Sequence, residues 1–234
     1  MSETLDKVRG VRELPLFPLP LVLFPGVPLP LHVFEERYRR LLADVRVSNN
    51  LFGLSYFDPN TADALERPPA GHVGCATEVV EVQPLPDGRS NILTVGVVRY
   101  RVTGYVESDE PYLVARVEFF EDDEGDAAVL KKRAGEVAEM FTRIARAMRS
   151  INDERGDLPE LPLEDPERLS FLVAAVVEME ADAKQQLLEM RSTAERLRRV
   201  YTLLAQAVES YEARARTHEL ARGNGHGGKN VDIE

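Results

Sequence analysis

His72 precedes Cys75 by three residues, and a histidine beside a thiol is the pair from which a nucleophilic hydrolase would be built. On one extended strand, residues three apart face opposite sides. The imidazole and the thiol therefore point away from each other, and Cys75 reads as a small packed side chain. His32 stands in a proline-rich stretch, while His218 and His226 fall in a terminal helix and tail. None of the four histidines sits in a G-x-S-x-G or H-E-x-x-H context. They are read as surface or structural histidines, and no catalytic residue is predicted. A lone cysteine excludes an internal disulfide and a thiolate zinc cage.

Two further runs imitate ligand sites. Gly223-Asn224-Gly225-His226-Gly227-Gly228-Lys229-Asn230 matches G-x-x-x-x-G-K, and its glycines also match G-x-G-x-x-G. Both motifs work only between a strand and a helix whose amides cradle phosphate. This run follows a helix, has five residues after Lys229, and carries Asn230 where a magnesium-holding hydroxyl belongs. It reads as a glycine-rich flexible tail, residues 222–234. Glu121-Asp122-Asp123-Glu124-Gly125-Asp126 lacks the alternating acids and the distal glutamate of a calcium loop. It reads as a solvated linker whose last acids favour the positive start of the next helix. No metal and no cofactor is predicted.

The chain has 234 residues and a net charge of −11, which opposes binding to phosphate backbones and anionic membranes. Leu14–Phe34 contains no charge and is long enough to span a bilayer, but six of its residues are proline, so it cannot be a helix. The preceding residues balance Glu3, Asp6 and Glu13 against Lys7, Arg9 and Arg12, unlike a signal peptide. The expectation is a cytoplasmic chain with neither nucleic acid nor membrane as partner.

Read as strands, the prolines are informative. Pro18/Pro20 and Pro28/Pro30 are two apart, so each pair removes donors along one strand edge, at a sheet margin or barrel opening. Phe24-Pro25-Gly26-Val27 fits a turn, with proline second and glycine third. Phe34, Tyr38, Leu41, Leu42 and Val45 then share one face of a helix over 35–48. Strands follow at Leu51–Phe57, His72–Gln83, Asn91–Tyr105 and Tyr112–Phe120, with a loop at 58–71 and bulges expected at Gly96 and Gly104. About six strands that curl at glycines argue for a small closed or nearly closed barrel over 1–122; an open sheet and a sandwich are the alternatives.

From residue 123 the period is helical. Ala127–Arg149 places Val129, Arg133, Val137, Met140, Phe141, Ile144 and Met148 on one face. A loop containing Leu158-Pro159-Glu160-Leu161-Pro162 leads to Asp165-Pro166, a cap and first-turn proline for a helix to about Met179. Asp182 with Gln185, and Ser192 with Glu195, mark the starts of a short helix and a long one. The fold class is α+β: a barrel, then a helical bundle over 123–221.

Tyr56-Phe57 and Phe119-Phe120 each set two rings side by side on a strand, so each pair faces both sides of the sheet. One ring of each pair fits inside a barrel and the other needs cover. Either the helices provide it, or the rings line an apolar groove where an unfolded chain lays down hydrophobic side chains. Tyr56, Phe57, Phe119 and Phe120 are the candidate contact residues.

Four blocks carry a family resemblance: "LPLFPLPLVLFPGVPLPLHVFEERYRRLL", "VGCATEVVEVQPLPDGRSNILTVGVVRYRV", "PYLVARVE" and "DAKQQLLEMRSTAERLRRVYTLL". In order and spacing the chain resembles the N-terminal domain of Lon proteases, in the form bacteria also carry as a free-standing protein. The resemblance implies a PUA-like β-barrel followed by a helical bundle, in a region that helps capture unfolded or misfolded substrates. The resemblance assigns ATP hydrolysis and the Ser-Lys peptidase dyad to other Lon domains, and it implies that neither is to be expected in these residues. The resulting expectation is a non-enzymatic binding module for unfolded or client polypeptides, an adaptor beside a protease or chaperone. The rivals are a hydrolase with an unrecognised site in the barrel, and RNA binding of the kind other PUA-like barrels perform.

Overall fold

A computed structural model of the chain describes residues 3–58, 67–154, 156–158 and 160–224. Most of the 58–71 loop, Pro159 and the tail from Gly225 on lie outside the described residues. A short helix α1 (Glu3–Lys7) precedes strand β1 (Glu13–Leu19). Strand β2 (Pro28–Val33) leads into helix α2 (Glu36–Arg46). Strands β3 (Leu51–Tyr56), β4 (Val73–Pro84), β5 (Ser90–Val106) and β6 (Val114–Phe120) follow. Helices α3 (Ala127–Ile151), α4 (Pro166–Val176), α5 (Ala181–Glu189) and α6 (Thr193–Asn224) complete the chain.

The strands run β2-β5-β4-β3-β1-β6, and β6 pairs back onto β5. That last pairing closes β5-β4-β3-β1-β6 into a ring, with β2 added outside it on β5. Glycine makes closure possible. The register shifts between Ala76 and Thr77, where Val98 and Gly96 are the partners, and again between Val102 and Gly104. Both glycine bulges expected from the sequence are present, and a bulge bends a strand sharply enough to turn a sheet on itself.

The turn at Phe24–Val27 also forms. Val27 N donates to Phe24 O at 3.2 Å, and Gly26 holds φ +77°. Beyond it, Gly26 N donates to Gly96 O at 2.8 Å and Val27 O accepts from Gly96 N at 3.0 Å, toward β5. Because amides alternate sides along a strand, Pro28 and Pro30 turn their donorless nitrogens to the free edge. For β1 the expectation is a margin or a barrel opening, and β1 lies within the ring, between β3 and β6. Leu16 N donates to Leu113 O at 2.8 Å, so Pro18 faces β6, past its last pairing at Pro15–Val114. Pro15 faces β3, whose parallel pairing begins only at Leu16–Gly53. Each proline falls where its side of the strand has no partner.

Tyr100 fills the ring. It is fully buried, and its hydroxyl lies 2.6 Å from Ser55 Oγ. Gly53 and Gly74 give it room: a Cβ at Gly53 would stand 2.7 Å from the Tyr100 hydroxyl, and one at Gly74 would collide with the hydroxyl and with Leu54 O. Leu14, Leu16, Ala76, Val98 and Ala115 pack in the same cluster. On the other face Tyr38, Leu41, Leu42 and Val45 of α2 cover Phe17, Phe52, Leu54 and Cys75. Phe34, expected on that helix face, precedes the helix and is exposed, stacked 6.0 Å from His32.

The residues divide into two compact units. One runs to Glu124 and includes Phe171–Ser192; the other holds Gly125–Ser170 and the residues from Thr193 on. The change of period near residue 122 is where the chain first passes between units, but Phe171–Ser192 returns to the barrel. In the second unit α3 packs on α6. Ala134, Val137, Ala138, Ile144 and Ala147 are buried, whereas Val129 and Met148 of the expected face are exposed. The alanines let the helices approach closely, which turns the contact face toward them. Asp126 caps α3 through Ala128 N and Val129 N, and Asp165 caps α4 through Arg168 N. Asp182 sits in the first turn of α5 rather than at its cap, which is Glu180.

Candidate functional site

The residues suited to catalysis are dispersed. His32 is exposed on β2, bonded to Asn91 at 2.7 Å. His72 is largely buried, which lowers its pKa, with Glu189 acting in the opposite direction; its Nε2 has no partner. His218 lies 3.9 Å from Asp153 in the other unit. His226 lies outside the described residues. Cys75 is completely buried, and desolvation pushes its thiol to about 12, so it is not a nucleophile near neutrality. Among the described residues no His, Cys, Asp and Glu side chains group as metal ligands, and no helix is long and apolar enough to cross a membrane.

The four aromatics do not converge on one groove. Phe119 pairs across from Tyr100 and packs with the ring cluster. Tyr56, Phe57 and Phe120 are half-buried. The returning segment explains the cover, because Leu54, Cys75, Arg99 and Phe120 form one row across four strands and α5 crosses that row. Tyr56 bonds Asp182 at its start, and burial with this bond raises the phenol to about 12. Gln185 donates to Val73 O at 2.9 Å, and Arg99 donates to Leu188 O at 3.1 Å and Met190 O at 2.5 Å. Arg99 and Asp122 form an ion pair with side chains only 1% and 3% exposed. Phe120 sits beneath the guanidiniums of Arg99, Arg101 and Arg191, with Arg99 4.6 Å from its centroid. Tyr56 and Phe120 thus mark the two ends of a closed contact.

An open apolar surface exists elsewhere in the same unit. A groove of about 410 Å³ runs between α2 and the β4–β5 hairpin, lined by Leu42, Ala43, Val82 and Pro84 and flanked by Arg39 and Arg46. This volume is within the usual range of ligand clefts. The hairpin turn at Leu85–Gly88 shapes one wall: Gly88 N donates to Leu85 O, and Gly88 holds φ +81°. Arg39 lies against Gly88, where a Cβ would collide with its guanidinium. Sequence reading missed this groove because its walls are some forty residues apart in the chain and meet only through the sheet.

The groove can hold apolar side chains and oppose negative charge; it offers no acid–base pair. Residues 13–206 match the family described as the ATP-dependent protease La (LON) substrate-binding domain. Lon protease 2 of Herpetosiphon aurantiacus is 26% identical over 201 residues, 86% of this chain and 24% of that protein. The Lon protease of Azospirillum brasilense is 28% identical over 214 residues, covering 86% and 25%. The chain thus spans about a quarter of the length of these curated relatives. Two solved structures share the fold. The Lon N-terminal domain protein from Xanthomonas campestris has a TM-score of 0.60 at 22% identity, covering 82% of this chain and 98% of that one. The N-terminal domain of Mycobacterium avium complex Lon protease has 0.62 at 17%, covering 83% and 98%. The chain is α+β and belongs to the Lon substrate-binding domain family.

Proposed function

We propose that this chain is a non-enzymatic polypeptide-binding module that captures exposed apolar segments of unfolded or client proteins, as an adaptor beside a protease or chaperone. The observation that carries the reading is the family match across residues 13–206. The groove beside α2 supplies a place for capture. The free β2 edge discourages strand addition, because Pro28 and Pro30 remove its donors, so side-chain contacts carry recognition. A fully buried leucine-sized anchor contributes about 1.5–3 kcal/mol before ordering costs. Two or three such anchors give about micromolar to millimolar affinity, suited to transient capture. In this reading Tyr56 and Phe120 contribute by holding the Phe171–Ser192 segment in place, the barrel is of the PUA-like kind, and the protein acts in the cytoplasm of a bacterium.

A photo-crosslinker at exposed Ala43 tests the reading. Denatured clients should be crosslinked well above folded controls; equal yields reject it. Turnover of an ester, peptide or nucleotide that one histidine substitution abolishes would instead favour an enzyme.

A further inference from the structure

Arg39 and Arg46 are two turns apart on α2, with Leu42 and Ala43 between them on the same face. Among the described residues neither guanidinium has an ion-pair partner, and the nearby acids are engaged elsewhere. Glu35 pairs with Arg37 at 2.9 Å, Asp44 with Arg40 at 2.9 Å, and Asp87 with Arg89 at 2.6 Å. On a chain of net charge −11, two unpaired arginines flanking an apolar groove make a local positive site that concentrates anionic ligands. Building on the polypeptide-binding reading, we infer that the groove between α2 and the β4–β5 hairpin selects extended apolar segments bracketed by two carboxylates three residues apart.

The spacing follows from the helix. Seven residues at 1.5 Å rise place the two arginines about 10.5 Å apart along α2. A polyproline-II segment rises about 3.1 Å per residue with three residues per turn, so acids at i and i+3 share a face about 9 Å apart. The two intervening side chains point about 120° to either side of that face, so one of them turns toward the Val82 and Pro84 wall of the groove. Guanidinium forks donate to carboxylates in bidentate geometry, which fixes the register of the segment. Two exposed ion pairs of ordinary strength amount to about tenfold in affinity.

Fluorescence anisotropy with the full chain tests this, using three labelled leucine-containing peptides: glutamates at i and i+3, glutamines at the same places, and glutamates adjacent. The first should bind wild type about tenfold tighter than the second, with the third between them. Arg39→Glu/Arg46→Glu should reverse that preference in favour of the glutamine peptide, whereas Arg39→Lys/Arg46→Lys should retain part of it. Equal binding of the first two peptides overturns the inference while leaving polypeptide capture standing. Binding of none of the peptides, with denatured clients still crosslinked at Ala43, also overturns it; loss of both signals removes the underlying reading as well. A dimer in sedimentation that the double reversal breaks assigns the groove to a second copy and overturns it too. Both arginines are exposed on α2, and the wild-type peptide comparison decides even if a reversed variant misfolds.

Discussion

Replacing Arg99 with methionine should loosen the segment that crosses the barrel. The guanidinium is buried, ion-paired with Asp122, and donates to the carbonyls of Leu188 and Met190. Removing one partner of a buried pair leaves the other charge unsolvated, at a cost of about 3–5 kcal/mol. Asp122→Leu should cost a similar amount, because it strands the guanidinium. The double variant removes both charges, and what remains is the two carbonyls without their donor, about 1–3 kcal/mol. The double variant should therefore be more stable than either single one. Urea unfolding of all three supplies the cycle, and hydrogen exchange of Phe171–Ser192 locates the loss. Additive effects, or unchanged protection of that segment in Arg99→Met, would refute the idea that this pair anchors it.

Gly74→Ala should destabilise the barrel by at least about 1–3 kcal/mol, read by thermal melting, since its Cβ collides with the Tyr100 hydroxyl and Leu54 O. Asp126→Ala should cost about 1 kcal/mol by removing the cap of α3, visible in the melt of the same variant. Burial lowers the His72 pKa from 6.5, so the unfolded chain binds more protons than the folded one just below that value. Stability should be complete above pH 6.5 and fall as pH drops through it; His72→Phe should flatten this slope in denaturant titrations between pH 7 and 5. Cys75 should resist alkylation at pH 8 until denaturant opens the core, and rapid labelling of the native chain would contradict its burial.

What the sequence made legible was local chemistry. Pro25-Gly26 specified a turn, Gly96 and Gly104 specified bulges, Asp165 specified a cap, and the last acids of the 121–126 run marked the start of α3, because each acts on residues within four positions. Pairings set by distance were not legible. Nothing adjacent to Leu16 says that β1 runs parallel to β3, or that β6 returns to β5 and closes the ring. Asp182-x-x-Gln185 has the pattern of a cap, yet Gln185 bonds Val73, because the carbonyl of a distant strand competes for its amide. The buried role of Arg99 was equally hidden, since an arginine in a strand reads as a polar face until the elements on either side of it are placed.

The same contrast explains why the candidate aromatics and the open groove differ. Adjacent aromatics signal that both faces of a sheet are covered, and the chain covers its own by returning Phe171–Ser192 across the Leu54–Phe120 row. An open binding surface cannot be marked so conspicuously, because a large exposed apolar patch promotes association. Here it is kept narrow, with Leu42 mostly buried, Ala43 small, and an arginine at each end. Charge flanking a modest apolar strip keeps the surface soluble when empty and still favours a segment that brings acids of its own. Arg39→Leu/Arg46→Leu separates these two tasks: it should raise affinity for the glutamine peptide, erase the preference for the glutamate peptide, and lower the concentration at which the chain self-associates in light scattering. If self-association is unchanged, the arginines guard nothing, and their position beside the groove serves recognition alone.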